Sequence, residues 1–144
     1  MRSVTAVGLG VLIALAIGLL LVFGILAPVF TRFFGLELAG STAVPITLMV
    51  FADAFAFYFG GMAASYRAPA RRRLHGTLVA PVAFALSPAI NVVTGEDLFP
   101  GLDTAGAVLL AAVFFAVSLG AAYIGARRGE ALYAYNQKLP PYHR

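Results

Sequence analysis

The residue best able to do chemistry in this chain is Asp53, which stands in "FADAFAFYFGG" with no Lys, Arg or His at its depth in the surrounding apolar run. An aspartate near the middle of a membrane helix costs on the order of 3 kcal/mol to insert, so its carboxyl needs a partner. Matched by depth across the apolar runs, Ser87 and Ser118 lie about one helical turn from the midplane, Asn91 lies farther outward and Tyr123 farther inward. Without a nearby cation, the neutral acid donating a hydrogen bond to a hydroxyl or carbonyl is the expected state at pH 7, and an unpaired anion the least favoured. Three roles compete for the intramembrane polar group Asp53, Ser118, Ser87 and Asn91. They are a structural hydrogen bond inside a bundle, a proton or cation site in a water-reachable cavity, and a contact to a polar group on a partner subunit.

The elements that must position these residues follow from hydropathy. The 144-residue chain is 61% hydrophobic and 11% charged, with a mean hydropathy of +0.92, well outside the range of soluble domains. Crossing a hydrocarbon core takes roughly 20 helical residues. Runs of that kind occur at about 4–30, 43–65, 74–93 and 105–126, which predicts an all-α integral membrane protein with four transmembrane helices in one compact bundle. The third run is interrupted by Pro81 and Pro88, a tolerable defect where neighbours re-satisfy the freed carbonyls. The runs are continuously apolar, without the alternation of a membrane β-strand. The first is too long for the apolar core of a secretion signal.

At 100° per residue, the side of the second helix that carries Asp53 also carries Met49, Ala56, Gly60 and Ala64, with Ala52 and Ala63 at its margin. The opposite side collects Leu48, Phe51, Phe55, Tyr58, Phe59 and Met62, a surface suited to lipid. Asp53 is therefore expected to point into protein. Small residues spaced by four let membrane helices approach closely. Ala56, Gly60 and Ala64 form such a ladder, and others occur at Gly10, Ala14 and Gly18 and at Ala112, Ala116 and Gly120. All are expected to serve helix packing.

An offset of 60 aligns Leu26 with Leu86, Pro28 with Pro88, Gly35 with Gly95, Gly60 with Gly120 and Arg67 with Arg127, which raises the prospect of two tandem helical hairpins in parallel repeat. Asp53 then falls opposite Val113, so the acid belongs to one half only.

Charge sets the expected orientation. Nine of ten basic residues fall before the first run, between the second and third, or after the fourth, with Arg32 the exception; Glu37, Glu96, Asp97 and Asp103 fall on the other side. The positive-inside rule then puts both termini in the cytoplasm, in a plasma membrane of the prokaryotic inner-membrane kind, and argues against dual-topology insertion. Arg67, Arg71, Arg72 and Arg73 form a basic loop that anchors topology and is placed to meet anionic headgroups or an acidic partner. Residues 127–144 read as a cytoplasmic or interfacial tail with tyrosines suited to the headgroup zone. Nucleic acid is not an expected partner, because the basic residues lie where insertion alone places them.

No cysteine is present, which excludes thiolate metal sites and iron–sulfur clusters, and the two histidines, His75 and His143, sit at or beyond the ends of the runs. Neither metal nor cofactor is expected, and a pigment or quinone held on the phenylalanine-rich surface is the weaker alternative. Glu96, Asp97 and Asp103 lack the spacing of a calcium loop. Pro88 releases the carbonyl of Phe84 and so bends the third run. With no phosphate loop and no nucleophile beside a base, an enzyme is not expected. The sequence points first to a non-catalytic membrane subunit that assembles with other membrane subunits or with copies of itself. The alternative is a small proton-coupled transporter or channel using Asp53.

Overall fold

A computed structural model describes residues 2–35, 43–94 and 103–138, and every element among them is helical. Helix α1 (Arg2–Leu19) runs into a π-helical turn (Leu20–Leu26) and then α2 (Ala27–Phe34), a single rod that Gly35 ends in the left-handed conformation at φ 61°. The π-helical turn has a local cause. Pro28 has no N–H to give the carbonyl of Gly24 and its ring crowds that carbonyl, so the preceding turn widens, and the N–H of Ala27 reaches back to Val22.

Helix α3 (Ala43–Arg67) returns, a short loop leads to α4 (Arg72–Thr77) and α5 (Val79–Thr94), and α6 (Thr104–Lys138) completes the described chain. Among the described residues, three helical stretches are long and apolar enough to cross a membrane: Ser3–Phe33, Ile46–Arg67 and Thr104–Lys138. The expected third run is divided. Pro81 cannot serve the carbonyl of Thr77, and α4 stops there. Backbone bonds from Leu78 to Leu74 (2.9 Å) and from Val82 to Leu78 (3.1 Å) carry the coil across the junction, but α5 alone has 16 residues, short of the roughly 20 needed. The last helix overruns its expected end at 126 by continuing to Lys138, so most of the expected tail is rigid helix.

Helix α3 lies at the centre, with α1 against one side and α6 against another. The contacts are made backbone to backbone. A Cβ on Gly60 would lie 2.6 Å from the Gly10 carbonyl oxygen, and one on Gly10 would lie 2.7 Å from the Cβ of Ala64. On the other side, glycines interlock α3 with α6: Gly61 abuts the backbone of Ala122, Gly125 the carbonyl of Tyr58, and Gly129 that of Met62. At the arginine-rich end, Gly76 of α4 packs against Ala126 and the carbonyl of Gly61, while the fully buried Val79 of α5 meets Gly10.

The core is built mostly of alanine. Nine of the thirteen buried apolar residues among those described are alanines, and the large apolar side chains, including Leu12, Phe23, Phe51 and Leu109, stand mostly exposed. The tandem repeat is not expressed in this packing. Gly60 is clamped by α1, whereas its counterpart Gly120 has nothing within 4 Å; Ala56 is buried, whereas Ala116 is exposed.

Candidate functional site

Ser118 is placed by the stripe of α6 that meets α3, since Ser118, Ala122, Gly125, Ala126 and Gly129 are the buried residues of that helix and share one face at helical spacing. One bond fixes its register. The hydroxyl of the fully buried Ser65 donates to the carbonyl of Ala126 at 2.7 Å. Twelve residues earlier on α3, the half-buried Asp53 comes opposite Ser118, with Oγ 2.5 Å from Oδ2.

The same hydroxyl lies 2.6 Å from the carbonyl oxygen of Phe114, one turn back on its own helix. A serine carries one proton, so it donates along one of these two lines at a time. Asp53 Oδ2 and the Phe114 carbonyl oxygen are thus alternative acceptors for the Ser118 hydroxyl.

A cleft of about 350 Å³ opens beside this pair, between the π-helical end of the first rod and α3, and Asp53 is the one ionisable residue in its lining. Leu19, Val22 and Phe23 line it from the first rod, Met49 and Phe57 from α3, and Phe114 from α6. Asp53 lines this cleft while its Oδ2 accepts from Ser118.

Of the other polar residues singled out from the sequence, Ser87 and Asn91 have side chains outside those described, and Tyr123 is exposed away from the pair. Ala56, Gly60 and Ala64 line the contact of α3 with α1, where Gly18 comes opposite Ala56. Ala116 and Gly120 do not pack; both are exposed on the far side of α6. The reason is that α6 carries two small-residue ladders, and the one that meets α3 is shifted from them by two residues, about 200° around the helix. The large face of α3 is also divided. Phe51 and Phe55 are exposed, but the backbones at Tyr58 and Met62 are covered by Gly125 and Gly129.

The basic loop is partly committed to the fold. Arg72 donates from Nη1 to the carbonyls of Tyr66 (2.7 Å) and Ser65 (3.2 Å) at the end of α3, and its guanidinium lies 3.2 Å over the ring of Tyr133. Arg73 pairs with Glu130, and this neighbour holds the guanidinium more firmly charged than usual. Arg67 and Arg71 are exposed. Arg67 borders a surface hollow with Thr5, Ala6 and Leu9, and Arg71 takes the left-handed conformation at φ 45° ahead of α4. Sequence reasoning missed the docking of the α6 extension onto α3, completed by Asn136 Nδ2 donating to the Tyr66 hydroxyl at 2.8 Å. Its one available signal was Glu130, a lone acid in a basic segment.

Asp103 caps α6, accepting from the Gly106 N–H at 2.9 Å. Glu37, Glu96, Asp97 and His143 lie outside the described residues. Among the described residues no three of His, Cys, Asp and Glu come together in a metal-binding group. No protein-family model, curated protein or solved structure matches the chain.

Proposed function

We propose that the chain is an integral membrane protein acting as a non-catalytic subunit of a larger membrane assembly. The observation that carries the membrane reading is the inversion of size between core and surface, with alanine and glycine inside and leucine and phenylalanine outside. In water, an alanine core buries too little apolar area to offset chain entropy, and the exposed residues would aggregate. In lipid, close packing of small faces is what holds helices together and a large apolar exterior costs nothing.

In this reading the coil 72–94 supplies a fourth crossing beside the three long helices, both termini face the cytoplasm, and the membrane is a plasma membrane of the prokaryotic inner kind. The uncovered ladder Ala112, Ala116 and Gly120 supports assembly, because the equivalent ladder of α1 is used for close contact. Native purification in mild detergent, with identification of co-migrating chains, tests this. The protein is expected to travel with other membrane chains, and recovery as a lone homogeneous oligomer defeats the subunit reading.

The second reading, a proton-coupled transporter or channel, is favoured by one observation, the Asp53–Ser118 pair at the edge of an open cleft. Asp53→Asn tests it in liposomes. Proton-driven flux should disappear while the helical spectrum stays unchanged, and wild-type vesicles without flux dispose of this reading.

A further inference from the structure

We infer that the cleft beside Asp53 is a binding site for a lipophilic organic cation, an ammonium group carried on an apolar body. The inference rests on the chain being a membrane protein, but neither on its being a subunit nor on its transporting anything.

Three observations converge. The cleft has a wholly apolar wall with a single carboxyl at its edge, so a ligand that fits it must be greasy over most of its surface and meet one acid. Asp53 lines the cleft while its Oδ2 accepts from the Ser118 hydroxyl, which holds the carboxyl in place before any ligand arrives. Phe23, Phe57 and Phe114 line the same space, and an ammonium group is attracted to aromatic rings as well as to the carboxylate. Among the described residues the lining contains no Lys, Arg or His, so the positive charge comes with the ligand.

An ammonium group pairs with the ionised carboxyl, so a carboxyl that holds a proton in the empty site gives it to water as the cation enters, with the Ser118 hydroxyl donating to Oδ2. One cation is taken up and one proton released. Among the described residues, those that line the cleft with Asp53, and Ser118 bonded to it, include no other group that titrates in the working range. A single proton should therefore compete with the cation.

The test uses the full chain purified in detergent micelles, with benzyltriethylammonium as the probe and an uncharged carbon analogue of the same shape as the control. Wild type should bind the probe and release about one proton per probe bound, with affinity falling about tenfold per pH unit on the acid side. Asp53→Asn should weaken binding at least tenfold with an unchanged helical spectrum. Val22→Trp, which fills the cleft and leaves the carboxyl in place, should do the same. Absence of binding by folded wild type overturns the inference, as does equal affinity for the uncharged analogue or full affinity in Asp53→Asn. None of these results bears on whether other chains co-purify, so the subunit reading stands or falls separately.

Discussion

Gly60 and Gly120 occupy matching places in the 60-residue alignment, and the structure assigns the same substitution opposite consequences at the two. A Cβ added at Gly60 would stand 2.6 Å from the Gly10 carbonyl oxygen and 2.9 Å from the Cβ of Ala14, where ordinary contact begins at 3.4 Å. Helix α1 must therefore retreat by about 0.8 Å, the difference between 3.4 and 2.6 Å. A gap of that size forfeits a quarter to a half of each dispersion contact it opens. For about 40 atom pairs at about 0.15 kcal/mol each, the loss is about 1.5–3 kcal/mol. Alanine returns up to about 1 kcal/mol of helix propensity, which leaves Gly60→Ala destabilised by about 0.5–2 kcal/mol.

At Gly120 nothing lies within 4 Å, so only the propensity gain applies and Gly120→Ala should be neutral or stabilised by up to about 1 kcal/mol. Reversible unfolding in mixed micelles, followed by circular dichroism, should separate the two variants by about 1.5–3 kcal/mol, because the propensity gain is common to both. Equal stabilities, or a greater cost at Gly120, would refute the account of which ladder packs.

Ser65→Ala should cost about 1 kcal/mol in the same assay, because a fully buried hydroxyl loses its bond to the Ala126 carbonyl; no cost would mean that this bond does not fix the α3–α6 register. Arg72→Ala should cost about 2 kcal/mol, the loss of two bonds to terminal carbonyls of α3 plus the stacking on Tyr133. Arg73→Ala, whose pair with Glu130 is exposed, should leave the midpoint unmoved at high and low salt, and a shift as large as that of Arg72→Ala would overturn the division of labour in this loop.

The helical class and the three long apolar stretches were legible because they rest on composition and length, which a sequence carries directly. The inward side of α3 was legible for the same reason, since Ala52, Ala56, Gly60 and Ala64 differ in size from Phe51 and Phe55. What periodicity could not decide was which of two small faces on α6 would meet α3. Both have residues spaced by four, and the choice depends on tertiary contacts, above all on Gly125 and Gly129, that no local pattern encodes. The division of the third run at Leu78 was half legible. Pro81 was visible, but its consequence depends on Thr77 being the carbonyl it fails to serve. The role of Arg72 was hidden, because capping α3 and lying over Tyr133 requires a residue 61 positions away.

The cleft arises from the way two features of the first rod oppose each other. At Gly10 the rod touches the backbone of α3, and at Gly18 a Cβ would already stand 3.8 Å from Ala56. Beyond Gly18 the helix widens into the π-helical turn that Pro28 forces on it, and the two rods part across Leu19, Val22 and Phe23 on one side and Met49 and Asp53 on the other. Had the small ladder continued on α1, the gap would have closed over Asp53 and left only a structural hydrogen bond. Had the ladder been absent, the rods would have had no crossing to diverge from. Asp53 thus stands where close packing gives way to open space, anchored by Ser118 and lining the cleft, which makes its carboxyl both held and reachable.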